Sequence, residues 1–183
     1  MTQRLPFFLA LFALITLSAC GDDEDPNVTN EGEVITAVTL TLFPNGPHEQ
    51  VALTWQDADG SGGNPPVTTV VGNLTANSNY RGQVSFTSGN QLIDAEILDE
   101  GADHQIFYET DGLGWTLQYS DADEFGAPLG IMTNVQTADA GTGNLTVTLR
   151  HEPTKTPAVA IDNPDAAGGS IDAAVTWTGL TVR

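Results

Sequence analysis

Apolar and polar residues alternate along much of this chain in short runs. Leu145-Thr146-Val147-Thr148-Leu149 is the cleanest of them. Every second residue is apolar, the spacing that turns one face of a β-strand to a core and the other to water. Val38-Thr39-Leu40-Thr41-Leu42 repeats the pattern inside a longer β-branched run, and Val51-Ala52-Leu53-Thr54-Trp55 and Val175-Thr176-Trp177 share its texture. The pattern predicts about ten segments: 34–43, 50–56, 66–73, 80–87, 91–98, 104–110, 114–120, 130–137, 144–151 and 172–182. Turn signals fall between them, among them Pro44-Asn45-Gly46-Pro47, Asp111-Gly112 and Gly141-Thr142-Gly143-Asn144. No window holds a sustained 3.6-residue stripe with caps. The ambiguous stretch is Gln91 to Glu100, which fits a short helix as well as a strand. Residues 152–171, rich in Pro, Ala and Gly, read as a long surface crossing between sheets. The fold class this implies is all-β: an antiparallel, Ig-like β-sandwich over residues 34–183.

Consecutive strands of a sandwich usually run antiparallel, so loops can be assigned to ends by counting. Taking the end where residue 34 starts as the near end, the count sends the loop with His48 to the far end. Asp57 and Asp59 fall at the near end. His104, the loop with Asp121 and Asp123, and the strand exit at His151 and Glu152 fall at the far end. All three histidines of the chain are then expected together. A weak echo, Trp55-Gln56-Asp57-Ala58-Asp59-Gly60 against Tyr119-Ser120-Asp121-Ala122-Asp123-Glu124, reads as a repeated hairpin device.

The first residues change the picture from a domain to an exported domain. Met1-Thr2-Gln3-Arg4 is followed by an apolar run from Leu5 to Leu17 and then by Ser18-Ala19-Cys20. This is the plan of a secretory signal over 1–19, too short for a transmembrane helix of about 20 apolar residues. Cys20 is the chain's single cysteine, so an intramolecular disulfide has no second partner. Leu17-Ser18-Ala19-Cys20 resembles the bacterial lipobox, in which cleavage leaves the cysteine first and its thiol acylated. Two or three acyl chains at about 0.8 kcal/mol per methylene hold firmly to a bilayer. Residues 20–33, with the acidic run Gly21-Asp22-Asp23-Glu24-Asp25, then form a lipidated tether. The run resembles a surface-export signal of Bacteroidota lipoproteins and also suits a solvated spacer.

Charge narrows the partners. Removing the first 19 of 183 residues leaves 164, with four cationic residues against 24 acidic ones and a net charge of −20. Such a chain lacks the cationic footprint that nucleic acid or anionic lipid requires, and it attracts cations.

Histidine and carboxylate are the ligands that zinc and similar metals take. The counted far end gathers His48, Asp103, His104, His151 and Glu152 into one candidate set. No H-x-H or H-x-x-x-H spacing supports it, and histidines that bond locally at strand ends fit the spacing better. Asp57, Asp59, Asp121 and Asp123 form the candidate calcium loops. Neither loop has the glutamate an EF-hand needs, and Asp-rich turns form for backbone reasons. Trp55, Trp115 and Trp177 lie in strands among β-branched neighbours, which favours core packing over a sugar-stacking platform. No nucleophile elbow, P-loop or dinucleotide fingerprint occurs, so no catalytic residues are assigned and no enzyme is expected.

The lipobox, Thr54-Trp55-Gln56-Asp57-Ala58-Asp59-Gly60, Asp103-His104-Gln105-Ile106-Phe107-Tyr108 and Leu149-Arg150-His151-Glu152-Pro153 together resemble a group of small Bacteroidota surface lipoproteins of similar length. Some of that group carry the label of a type 1 periplasmic-binding fold. The strand pattern contradicts the label, since that fold needs two α/β lobes with repeated helices. The resemblance implies an outer-membrane location facing the cell exterior, beside TonB-dependent receptors, and a role in metal or nutrient uptake. The expected function is a lipid-anchored binding accessory for such a transporter, with zinc or calcium as the candidate cofactor. The alternatives are a structural or adhesive surface lipoprotein without a small-molecule site, and a glycan-binding module.

Overall fold

A strand that is apolar on one face must find a second apolar face to cover it. Here the cover is another sheet. The computed structural model describes residues 34–60, 63–156 and 159–183. The elements run β1 (Ile35–Pro44), β2 (Val51–Gln56), β3 (Val67–Val71), β4 (Asn79–Ser88), β5 (Gln91–Leu92) and the helix α1 (Asp94–Asp99). They continue β6 (His104–Asp111), β7 (Thr116–Tyr119), β8 (Met132–Gln136), β9 (Gly141–His151), the single turn α2 (Pro164–Ala167) and β10 (Ser170–Val182).

Two antiparallel sheets result. The seven-stranded sheet has the order β3-β2-β1-β4-β8-β7, with β5 added to β4, and the three-stranded sheet has the order β10-β9-β6. The alternation read from the sequence sets their inner faces. Val38, Leu40, Leu42, Leu53, Val84 and Phe86 from the large sheet meet Ile106, Tyr108, Val147, Leu149, Val175 and Trp177 from the small one in a single core. The all-β antiparallel sandwich is therefore the fold, and the expected segments coincide with its strands apart from 91–98. The described residues of the crossing, 152–156 and 159–169, are tied to the small sheet at the free edge of β6 and through Arg150 of β9. There Tyr108 N donates to the Ile161 carbonyl (2.9 Å), and Arg150 Nη2 donates to Asp165 Oδ1 (2.7 Å).

The segment 91–98 breaks the strand count, and with it the expected grouping of histidines. It does not cross the sheet. The two residues of β5 pair with Thr87 and Ser88, and α1 then turns back at once. Ile93 N donates to the Phe86 carbonyl (3.0 Å) and Phe86 N to Asp94 Oδ1 (2.7 Å), which pins the helix start to the end of β4. Ile35 pairs with Ser88, so this is also the end at which β1 begins. His104 therefore opens β6 at the near end, and every later loop changes ends with it. His104 pairs with His151, and His151 with Ser170 at the start of β10. The other end of β10 reaches Leu74, whose carbonyl accepts from Arg183 N (2.9 Å). A few residues on, Asn79 O accepts from Asn45 N (2.9 Å), beside His48. His48 thus lies a strand's length away, on the order of 40 Å for thirteen residues at 3.3 Å each.

One side of the sandwich is closed by residues 120–131. The Tyr108 hydroxyl donates to the Gly130 carbonyl (2.7 Å), the Tyr119 hydroxyl to the Ile106 carbonyl (2.9 Å), and Ile106 N to the Leu129 carbonyl (2.8 Å). The loop is held from within by two aspartates. Asp121 accepts from Gly130 N (2.7 Å) and Met132 N (2.8 Å). Asp123 accepts from Phe125 N (3.0 Å), Ala127 N (2.8 Å) and Lys155 Nζ (2.8 Å). The Lys155–Asp123 pair is nearly dry, with side-chain exposures of 7% and 2%, and Lys155 also donates to the Gly101 carbonyl. Burial works to raise the Asp123 carboxyl. Lys155 and the two backbone N–H groups outweigh it and hold the group below its ordinary value.

Breaking this pair strands a buried charge, so Lys155→Met is expected to cost about 3 kcal/mol in urea denaturation at neutral pH. A group with a lowered native pKa contributes stability above its unfolded value, near 4, and loses it as the pH falls through the native value. The gap between the wild type and Lys155→Met should therefore narrow as the pH falls below about 4. A gap that stays constant into acid would refute the assignment.

Candidate metal centre

Across the small sheet the inner face descends in rungs. Tyr108, Val147 and Val175 form one, and Ile106, Leu149 and Ala173 form the next. The last rung is polar. His104 of β6 lies directly opposite His151 of β9, and the two-residue period that turns Ile106 and Leu149 inward turns both imidazoles inward as well. His104 is 2% exposed.

The third member comes from β10 through a bulge. Ile171 pairs with Arg150 and Ala173 with Leu149, which leaves Asp172 as the extra residue between them. A regular strand would alternate Asp172 away from Ala173 and into solvent. The bulge re-aims it to the histidine side. Its side chain is 7% exposed, with Oδ2 3.6 Å from His104 Nε2 and 3.9 Å from His151 Nδ1. The two nitrogens are 3.1 Å apart. The rings meet edge to face, with centroids 4.9 Å apart at 69°.

The tautomer of His104 follows from its other nitrogen. Nδ1 lies 3.2 Å from the Glu100 carbonyl oxygen, which can only accept, so Nδ1 carries the proton. In the neutral ring Nε2 then presents its lone pair to His151 and Asp172. A second-side bond of this kind is what orients a metal-ligating imidazole. Burial alone would lower the pKa of His104. The Asp172 carboxylate and the Glu100 carbonyl outweigh it, and the net displacement is upward.

His104 Nε2, His151 Nδ1 and Asp172 Oδ2 make a triangle with edges of 3.1, 3.6 and 3.9 Å. Tetrahedral zinc with bonds of about 2.0–2.1 Å needs its ligand atoms about 3.3 Å apart, so shifts of a few tenths of an ångström would fit the ion. Three protein ligands leave one position open. Two imidazoles and one carboxylate suit zinc and its first-row neighbours, whereas calcium asks for six to eight oxygens.

Of the five expected metal ligands, the structure brings together His104 and His151 alone. Asp103 and Glu152 stand next to them in sequence, so alternation turns their side chains elsewhere, and both are exposed. Their backbones instead tie off the ends of β6 and β9, where Glu152 N donates to the Asp103 carbonyl (2.7 Å) with Glu152 at φ 51. His48 belongs to the opposite end, in a shallow depression with Asn45, Asn77 and Asn79. Asp172 escapes a sequence reading because strict alternation with Val175 and Trp177 gives no hint of an extra residue. The one available signal is an isolated acid within Ile171-Asp172-Ala173-Ala174-Val175.

The four aspartates of the candidate calcium loops form no group of three ligands among the described residues. Asp121 and Asp123 spend their oxygens on their own loop and on Lys155. Asp59 accepts from the backbone and side chain of Asn64 (2.8 and 2.7 Å), which lowers its carboxyl, and the Asp57 side chain lies beside it as a second carboxyl without a third. Among the described residues no three carboxylates converge, and His104, His151 and Asp172 are the one group of three with metal-ligand spacing. Trp115 and Trp177 are buried in the core and Trp55 packs against it, as the strand context suggested. Residues 1–33, with Cys20, lie outside the described residues. No described helix is long and apolar enough to cross a membrane. No protein-family model, no curated protein and no solved structure matches this chain.

The geometry of the metal-free protein predicts a measurable proton state. Long-range ¹H–¹⁵N spectra at high pH should show His104 protonated at Nδ1, and its titration midpoint should lie above about 6.5. A raised native value stabilises the fold below the unfolded pKa, and that stability is lost as the pH rises through the native value. Asp172→Asn removes the carboxylate and leaves only the Glu100 contribution against burial, so the midpoint should fall. An unchanged midpoint would remove Asp172 from the cluster.

Proposed function

We propose that this chain is an exported, lipid-anchored β-sandwich that binds a divalent first-row transition ion through His104, His151 and Asp172, as a binding accessory to an outer-membrane TonB-dependent transporter. The observation that carries the binding part is the convergence of two imidazole nitrogens and one carboxylate oxygen within 3.9 Å of one another on three adjacent strands. The lipobox at Cys20 supports the anchor, and the family resemblance supports the transporter.

The chemistry of capture follows from the same residues. A net charge of −20 after removal of the first 19 residues raises the local concentration of cations around the domain. The rung is reached past His151, the more open of the two histidines, with a side-chain exposure of 16% against 2%. With Nδ1 of His104 protonated, the proton between the two rings sits on His151 Nδ1, so to hold an ion through both nitrogens that proton would have to pass to His151 Nε2 or to solvent. Asp172 supplies the compensating charge. The fourth position would be left to water or to a ligand from a receiving protein, which would let an ion be passed on by exchange and not by unfolding. An ordinary structural zinc site closes all four positions and lacks this route.

A second reading rests on one observation: the histidines already bond each other at 3.1 Å. The rung would then be a polar plug in a structural or adhesive surface protein. Calorimetric titration of the EDTA-treated protein separates the two. Binding of one zinc per chain is expected, with no heat from calcium. His104→Ala and His151→Ala should each weaken zinc binding by at least about tenfold, the size of effect seen when outer-shell ligands alone are lost. No zinc, copper or iron(II) binding by the wild type would leave the structural reading standing. The anchor has its own test: Cys20→Ala should abolish fatty-acid labelling and release the protein from the membrane fraction.

A further inference from the structure

The large sheet ends on β3, and all five residues of that strand are exposed. Val67, Val70 and Val71 are 62%, 45% and 68% accessible. Among the described residues no strand pairs with the outer edge of β3, which leaves a row of backbone N–H and C=O groups as the template on which another strand adds. Sheet edges are normally guarded by lysine, by an inward charge or by a bulge. None of these occurs within Val67-Thr68-Thr69-Val70-Val71, and its pairing with β2 is regular throughout. The whole stretch from Gly60 to Tyr80 is without charge, in a chain whose formal net charge is −19.

We propose that β3 is a self-association edge, at which two copies of this chain pair antiparallel about a two-fold axis through Thr69. Charge selects the occupant. Two molecules this acidic repel wherever their contacting faces carry charge, so a stable self-contact requires an uncharged surface, and β3 is one. The sequence selects the register. Pairing about Thr69 sets Val67 against the copy's Val71, Thr68 against its Val70, and Thr69 against its Thr69. Each rung is then a β-branched pair, the kind that packs best across strands.

The limits of the strand enforce this register. Pro65 and Pro66 precede it and cannot donate to a ladder. Gly72 follows it at φ +95, and a Cβ there would collide with the Gln50 carbonyl oxygen, so the chain must turn away at that point. Only 67–71 are available, and the register that uses all five is the one centred on Thr69. Antiparallel pairing sets the Asp59 end of one copy towards the Gly72–Asn73 end of the other, where Asn73 Nδ2 donates to Glu49, so carboxylates stand only at the two ends of the ladder and none lies along it.

A five-residue edge is smaller than the roughly 1,200 Å² that stable complexes bury, so the dimer should be reversible and concentration-dependent. Sedimentation of the purified protein up to roughly 100 μM should show the mass rising towards twice that of the monomer. Thr69→Lys sets two like charges opposite each other on the axis and should hold the protein at monomer mass, with its far-UV spectrum unchanged. Thr69→Cys keeps the edge and should give a disulfide-linked dimer on mild oxidation, where Thr116→Cys on the opposite edge strand β7 gives none. A wild type that stays monomeric would leave β3 to a strand from another protein and overturn the proposal. So would a dimer that persists in Thr69→Lys, or cross-linking at Thr116→Cys equal to that at Thr69→Cys.

Discussion

The small sheet rests on one constraint: β9 is paired along both edges, to β6 on one side and β10 on the other. A central strand has no freedom of register, because a slip of one residue would turn Leu145, Val147 and Leu149 to the outer face and Thr146, Thr148 and Arg150 into the core. The hydrophobic ladder therefore fixes where His151 points, even though His151 contributes nothing apolar. It fixes His104 in the same way through Ile106 and Tyr108. The candidate site is thus the last rung of the core and not a separate structure added to it. Its precision is borrowed from residues that have no chemistry of their own.

Much of the fold is legible in the sequence because alternation is a local signal. The strand over 144–151 announces itself through Leu145-Thr146-Val147-Thr148-Leu149, and its boundaries need no knowledge of its neighbours. Sequence reasoning fails where a three-dimensional fact is required. Gln91 to Glu100 fits both periods, and the hydrogen bond from Phe86 N to Asp94 that settles it is a tertiary contact. That one ambiguous element moves every later loop to the other end. His104 and His151 stay together as expected, because both shift by the same amount, while His48 is left behind.

The aspartates show the same boundary between local and distant information. Asp121 and Asp123 sit in a loop whose composition suits a turn, a turn with a cation, or a turn with a lysine, and no local pattern separates these. Lys155, 32 positions further on, decides the matter by reaching Asp123. Asp172 is harder still. The signal that would place it inward is the registry of Ile171 and Ala173 against Arg150 and Leu149, which exists only once the sheet has formed.

That registry has a genetic reading. Asp172 is supernumerary: excise its codon and Ile171 still meets Arg150, Ala173 still meets Leu149, and the ladder becomes regular at that point. The carboxylate arm of the rung is therefore a single extra residue laid over a ladder that is regular without it. Reading-frame-preserving gain or loss of a single triplet would switch a lineage between a sandwich with two inward histidines and one with two histidines and an acid. Relatives of identical architecture can thus differ at this rung, and overall fold similarity would be blind to the difference.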